Sequence, residues 1–167
     1  ILLAAWLLPA SVFAQSDKQV PSFGKVDKAD LGLSTCEFRP QAGAMVLSDY
    51  GQYYLDFRGE NFYQELKRHV RIKILSDKGK EYANVKLRYH SFRNDEDIVD
   101  LVASTYNLDA SGNIVTTKLD KKLVYTKKLN AKYSEQSFTL PDVQVGSVIE
   151  YKYSVRNGGD RYWNLQK

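Results

Sequence analysis

The residues that could support nucleophilic catalysis are few: one cysteine, Cys36, and two histidines, His69 and His90. With one of the many aspartates they could form a Cys-His-Asp set, in which the imidazole takes the thiol proton and the carboxylate orients the imidazole. Cys36, however, lies in the segment STCEFRP, which has neither a strand-to-helix turn nor a glycine that would expose and activate a thiolate. Both histidines fall among lysines and arginines on the polar side of predicted strands. We therefore predict solvated strand histidines and no catalytic residue in this chain.

Carboxylates that could bind a metal ion cluster at residues 95–97 (DED) and 109–113 (DASGN). No cysteine–histidine pair has the spacing of zinc ligands, and DASGN lacks the later bidentate glutamate of a calcium loop. The sequence also contains no glycine-rich loop that would cradle a phosphate. It thus predicts no metal site and no bound cofactor.

Aromatic residues are concentrated in residues 50–63, near predicted turns, where they could line a groove for a glycan or a peptide. The candidate ligand-binding side chains are Tyr50, Tyr53, Tyr54, Phe62 and Tyr63. The alternative is that these rings fill the half-buried faces of β-strands, as aromatic residues commonly do. Solvent exposure separates the two interpretations, because a binding surface needs at least three accessible rings on one face.

Basic residues are spread along the chain, and the formal net charge is only +4. The most basic stretch, residues 125–133, lacks the aromatic–glycine signature of RNA-binding sheets. We therefore expect no nucleic-acid partner.

The spacing of apolar residues places the chain on β-strands rather than helices. Residues 63–75, 83–90 and 149–156 alternate between apolar and polar side chains, which is the period of a strand with one buried face. The opposite, polar face is predicted to lie in water; it carries His69, Arg71, Lys73 and Glu150. The predicted core consists of Val70, Ile72, Ile74, Val85, Leu87, Leu101, Ile149, Tyr151 and Tyr153.

Turn signals recur at short intervals, with no long helical pattern between them. Asp49-Tyr50-Gly51 predicts a hairpin turn, residues 83–89 are expected to partner residues 63–75, and residues 137–155 read as a hairpin hinged on Pro141 and Gly146. Together these patterns predict an all-β fold, an antiparallel two-sheet β-sandwich whose C-terminal edge could be incomplete.

The first residues predict export. Residues 1–14 carry no charge and end in Val12-Phe13-Ala14, the small-residue pattern after which signal peptidase cuts, so we expect the remnant of a signal peptide that is too short to span a bilayer. Residues 15–42 are then an N-terminal arm with a short helical turn around residues 28–33. Residues 43–167 form the sandwich module, truncated at its C-terminal side. We expect an exported protein, periplasmic or on the cell surface.

Three segments, in this order and spacing, resemble a bacterial domain of unknown function that precedes transglutaminase-like domains in exported proteins. They are residues 68–89, 97–119 and 138–155: RHVRIKILSDKGKEYANVKLRY, DIVDLVASTYNLDASGNIVTTKL and FTLPDVQVGSVIEYKYSV. The resemblance implies an all-β module followed by a papain-like Cys-His-Asp domain, which would be the partner of this chain after Lys167. No catalytic residue of that domain can be carried over onto this sequence.

Three functions follow from these observations. The resemblance favours a non-catalytic N-terminal module that supports or positions substrate for the downstream domain. A stand-alone glycan- or peptide-binding module, using the aromatics of residues 50–63, is the alternative. An enzyme in which His69 or His90 activates Cys36 is the third reading.

Overall fold

The structure, a computed structural model, describes residues 20–58 and 61–158, and most of these residues lie in β-strands. One helix and eight strands follow one another along this part of the chain: α1 (Lys28–Gly32), β1 (Ala44–Arg58), β2 (Asn61–Ile74), β3 (Asn84–His90), β4 (Glu96–Leu108), β5 (Ile114–Lys118), β6 (Tyr125–Lys128), β7 (Tyr133–Thr139) and β8 (Val148–Gly158). Short 3-10 helices at Asp77–Ala83, Phe92–Asn94 and Lys121–Leu123 lie in the connections.

The strands form two antiparallel sheets that do not close into a barrel. The larger sheet has the order β1-β2-β8-β4-β5, and the smaller has the order β3-β7-β6. The predicted all-β, two-sheet sandwich is therefore confirmed. Its C-terminal strand is not an edge, however, because β8 is the last described strand and lies between β2 and β4.

The hydrophobic core lies between the sheets, where the alternation of apolar residues placed it. Val70, Ile72 and Ile74 of β2 and Ile149 of β8 are buried in one cluster with Val85 of β3. Leu87 and Tyr153 are also buried in it, whereas Leu101 and Tyr151 are only partly buried against it. The prediction of which strand face carries the core is thus confirmed, because the alternation of side chains along a strand decides which of them point toward the second sheet.

The predicted pairing of neighbouring strands is wrong at three places. β1 continues through Gly51, which lies opposite Arg68, and the chain reverses only between Arg58 and Asn61. β3 pairs with β7 instead of β2, because the 3-10 helix after β2 carries the chain across to the smaller sheet. β7 and β8 do not form a hairpin, since the segment between them connects the two sheets.

The polar face of the larger sheet is the main correction to the sequence-based interpretation. His69, Arg71, Lys73 and Glu150 were expected in water, yet they are 9%, 3%, 0% and 0% exposed. The arm covers this face: its helix α1 matches the predicted helical turn, and Leu31 of α1 packs against β4 and β8. Strand alternation separates the two faces of a sheet, but it carries no information about what covers the second face.

Within residues 20–58 and 61–158, no helix is both long enough and apolar enough to cross a bilayer. The predicted signal-peptide remnant, residues 1–14, lies outside the described residues.

Candidate functional site

The carboxylate of Glu150, at the centre of the larger sheet, takes part in five hydrogen bonds. The His69 ring lies 2.8 Å from its Oε1 through Nε2, and Arg71 donates to the same oxygen from Nε (3.1 Å) and Nη2 (2.7 Å). The Tyr106 hydroxyl and the Gly24 backbone N–H donate to Oε2 at 2.8 and 2.9 Å. We call these residues the Glu150 cluster; it joins strands β2, β4 and β8 to the arm.

Two basic side chains of β2 bind the arm through its backbone. Arg71 Nη2 donates to the carbonyl oxygens of Lys25 (2.8 Å) and Ser22 (3.2 Å), and its Nη1 lies 3.4 Å from an Asp30 carboxylate oxygen. Lys73 Nζ donates to the carbonyl oxygen of Leu31. Leu31 lies at the C-terminal end of α1, where carbonyl groups have no partner within the helix, so Lys73 satisfies one of them, and the two cations together fix the path of the arm.

The electrostatics of the Glu150 cluster favour the ionised carboxylate. Burial alone would raise the pKa of Glu150, but the hydrogen bonds from Gly24, Arg71, Tyr106 and His69 outweigh burial and hold it below its usual value. Burial, followed by the hydrogen bond to this carboxylate, raises the pKa of the Tyr106 hydroxyl, so that it stays a donor. The Glu150 cluster is therefore a buried ion pair with a structural role, since both carboxylate oxygens already accept hydrogen bonds.

The cysteine and histidines do not assemble into a catalytic set. Cys36 is 2% exposed, and His69 is occupied by Glu150. The half-buried His90 ring packs edge-on against Tyr133, with the centroids 5.3 Å apart. Among the described residues, no hydrogen bond or ion pair joins Cys36 to either histidine. The prediction of solvated histidines is wrong, most clearly for His69, because the arm covers its face of the sheet.

The candidate aromatic residues divide between the two faces of the β1–β2 hairpin. Tyr50, Tyr54 and Tyr63 share the outer face, since they lie in register with His69, Glu65 and Asp56 respectively. Their exposed fractions are 37%, 38% and 40%. We call these three residues the tyrosine face.

The other two predicted aromatics lie elsewhere. Tyr53 is 42% exposed but opposes Leu66, so it points to the face that carries the core. Phe62 belongs to β2, and its side chain lies outside the described part of the structure. The tyrosine face therefore meets the exposure criterion set by the sequence.

Charged side chains lie beside the tyrosine face. Lys67 Nζ is 4.6 Å from the centroid of the Tyr54 ring, within the range of a cation–π contact, and 3.9 Å from a Glu65 carboxylate oxygen. Arg156 of β8 links Glu65 (3.3 Å) to Asp100 (2.8 Å). Aromatic rings next to both charge signs could stack against a flat, polar ligand and hydrogen-bond its edges.

A metal centre finds no support in the described side chains. Within residues 20–58 and 61–158, no group of three or more histidine, cysteine, aspartate or glutamate side chains could hold a metal ion. Asp109 instead accepts hydrogen bonds from the backbone of Ser111 and Asn113, which closes the predicted turn.

Sequence reasoning missed the Glu150 cluster and its contact with the arm. The available signal was the arm itself, where Phe23, Val26 and Leu31 are apolar residues in an otherwise polar segment. Apolar residues in such a segment need a surface to pack against. The basic face of β2 provides part of that surface, although its charged side chains predict a face in water.

Comparisons with known proteins give a family and solved structures of similar fold. Residues 60–165 match the model of a domain of unknown function with a solved structure, DUF3857. The fold is similar to the crystal structure of a candidate protease from Parabacteroides distasonis ATCC 8503, with a TM-score of 0.56 and 15% identical residues. That match covers 72% of this chain and 24% of the other, so this chain spans about a quarter of that protein, and at this identity the likeness shows the fold alone. No curated protein matches the sequence.

Proposed function

Because the chain belongs to the DUF3857 family of domains of unknown function, we propose that it acts as the non-catalytic N-terminal module of an exported, transglutaminase-like protein. In this role the sandwich supports or positions substrate for a cysteine-dependent domain that follows it. The downstream domain, and not this chain, would carry the nucleophile, the base and the orienting acid.

The observation that carries this proposal is the state of Cys36 and His69. A cysteine nucleophile needs an accessible thiolate beside a base, whereas Cys36 is 2% exposed and His69 is bound to a buried carboxylate. The likeness to about a quarter of a longer, protease-like protein supports a modular role. The ordered resemblance of three segments to the domain ahead of transglutaminase-like domains supports the same reading.

Two measurements test the proposal. The gene is expected to continue after Lys167 into a segment with Cys, then His, then Asp. In an amide-hydrolysis and transamidation assay, we expect no thiol-dependent turnover by the present chain, with Cys36→Ala as the control. Turnover that is lost in Cys36→Ala would overturn the non-catalytic assignment, and a gene that ends without such a segment would overturn the downstream domain.

Binding of a glycan or a peptide on the tyrosine face is the second candidate function. The exposure of Tyr50, Tyr54 and Tyr63 on one face favours it. The test is a pull-down on peptidoglycan with Tyr50→Ala/Tyr54→Ala and, as matched control, Tyr53→Ala, which removes an equally exposed ring from the opposite face. Binding that is lost only in the double variant supports this candidate; binding by neither wild type nor control excludes peptidoglycan as the ligand.

A further inference from the structure

A cleft of about 450 Å³ lies along β4, and none of its lining residues belongs to the tyrosine face. One wall is Phe23 of the arm, and the opposite wall is formed by Leu119 and Val124, which precede β6. Residues 98–104 of β4 form the floor, so apolar side chains line the cleft from three directions. We call it the β4-edge cleft.

The floor of the β4-edge cleft is a strand edge that no described residue pairs with. β5 pairs with β4 only from Ser104 to Leu108, and the Leu119 N–H then donates to the Ala103 carbonyl at 2.9 Å. In the described chain, residues 96–99 and Val102 pair with β8 on one side, Asp100 and Leu101 lie in a break of that register, and residues 96–102 have no backbone partner on the other side. Such an edge presents a row of unpaired N–H and C=O groups, which another backbone satisfies best.

The geometry of β4 changes where the cleft opens. The register with β8 shifts between Val99 and Val102, and Asp100 adopts a left-handed conformation with φ of 56°. A bulge of this kind re-aims the side chains beside it, and here Leu101 and Val102 both line the cleft. Asp100 itself accepts a hydrogen bond from Arg156, so its negative charge is paired.

The charge at one end of the cleft is positive. Lys118 and Lys121 line it, both are exposed, and neither has a carboxylate within salt-bridge distance among the described residues. The only acidic side chain of the lining, Asp100, is already paired with Arg156. A peptide with an acidic side chain beside the two lysines would therefore bind more tightly.

We propose that the β4-edge cleft binds an extended peptide that adds a strand to residues 96–102 of β4. Apolar side chains at alternate positions of the peptide fill the cleft, and an acidic residue at one end meets Lys118 and Lys121. The seven edge residues extend over about 23 Å at about 3.3 Å per residue, which is long enough for a six-residue peptide of about 20 Å. This proposal concerns a site separate from the tyrosine face and does not depend on a downstream domain.

The experiment uses a fluorescein-labelled synthetic hexapeptide, EVTVTV, and the whole chain. We expect saturable binding by fluorescence anisotropy, with amide chemical-shift changes at residues 96–102 and 118–124 in a nitrogen-15 NMR titration. Two control peptides separate the contributions: alternate N-methylation removes the backbone donors, and KVTVTV reverses the end charge. We expect the N-methylated peptide not to bind and KVTVTV to bind about tenfold more weakly, since tenfold corresponds to about 1.4 kcal/mol.

A matched pair of variants tests the protein side. Lys118→Glu/Lys121→Glu should weaken EVTVTV about tenfold and strengthen KVTVTV, whereas Lys78→Glu/Lys86→Glu, the same charge change elsewhere on the surface, should leave both affinities unchanged. All four lysines are exposed, so the fold should persist. The proposal is overturned by no binding at about 1 mM peptide, the weak end of the affinity scale. Equal binding of the N-methylated peptide, shifts confined to β1, or an unchanged affinity in Lys118→Glu/Lys121→Glu would also overturn it.

Discussion

Arg68 and Arg71 lie three positions apart on β2, and their surroundings give them different energetic weight. The Arg71 side chain is 4% exposed and binds Glu150 and three groups of the arm, whereas the Arg68 side chain is 45% exposed and forms a salt bridge with Asp49. Removing one partner of a buried ion pair leaves the other charge buried without a partner, which destabilises the fold strongly. An exposed ion pair contributes little to stability.

We therefore expect Arg71→Ala to lower the free energy of unfolding by about 3–5 kcal/mol and Arg68→Ala by about 1 kcal/mol or less. Urea denaturation at neutral pH measures both. Equal losses in the two variants would contradict the assignment of Arg71 to a buried structural pair.

Glu150 should make the free energy of unfolding depend on pH in the acidic range. Its pKa in the folded protein lies below the usual 4.5, because the bonds from Gly24, Arg71, Tyr106 and His69 outweigh the effect of burial. The unfolded state therefore binds the proton more readily, so the contribution of Glu150 is complete above about pH 4.5 and is lost as the pH falls through the folded-state value.

Glu150→Gln removes this titration. We expect the variant to be less stable than the wild type at pH 7, with the difference shrinking as the pH falls below about 4.5. The measurement is the free energy of unfolding of both proteins from pH 7 down to about pH 3. A difference that stays constant across this range would show that Glu150 is not the titrating group.

The sequence predicted the inward-facing residues of the sandwich well and its covered polar face poorly. Ile72, Ile74 and Ile149 follow from alternation, which is a local property of each strand. The burial of Lys73 and Glu150 depends on a segment more than 40 residues away in the chain, as the 42-residue separation of Lys73 and Leu31 shows. The tyrosine face is intermediate: alternation within β1 separates Tyr53 from Tyr50 and Tyr54, but only the register of β1 and β2 places Tyr63 on the same face.

At the scale of elements, the arm is a packed part of the fold rather than a leader outside it. Leu31 of α1 is 5% exposed and belongs to a cluster with Val26, Tyr106 and Val148. Leu33 follows two residues later and is 37% exposed. The two leucines therefore provide a matched test of whether the arm is docked.

Leu31→Ala should lower the free energy of unfolding by about 2–5 kcal/mol, because a buried leucine leaves a cavity. Leu33→Ala should change it by about 0.5 kcal/mol or less, as expected at a surface position. Chemical denaturation gives the values, and amide hydrogen exchange at Tyr106 and Val148 should become faster only in Leu31→Ala. Equal, small effects would show that the arm is not docked in solution.

The pairing of elements was less predictable than their existence. Strand patterns in residues 63–75 and 83–90 are clear, but a pattern does not say whether the connection between two strands turns within one sheet or crosses to another. Here Gly79 decides the path, since a Cβ at that position would lie 1.9 Å from the Gly43 carbonyl oxygen. Only glycine permits this close approach between the end of the arm and the crossover after β2.

At the scale of the whole molecule, β8 holds the larger sheet together. It pairs with β2 from Val148 to Gly158 and with β4 from Val148 to Asn157, and it supplies Ile149 to the core and Glu150 to the arm. Without it, β1-β2 and β4-β5 would be two separate hairpins, which are marginal on their own in water.

A chain that ends after Ser147 should therefore not fold. We expect its far-UV circular dichroism to lose the strand signal of the full chain and its amide proton spectrum to collapse to the narrow dispersion of an unfolded protein. A dispersed spectrum from the shortened chain would show that β2 and β4 can pair without β8.

The position of β8 in the chain also determines when the sandwich can form during synthesis. Synthesis delivers the arm well before Glu150, and the contact between Gly24 and Glu150 closes a separation of 126 residues. Contacts over such distances form late, because the entropy of closing the loop is lost before the contact stabilises the chain. Until β8 has been synthesised, the growing polypeptide therefore has no completed sandwich, and chaperones would meet its arm as an extended, unattached segment.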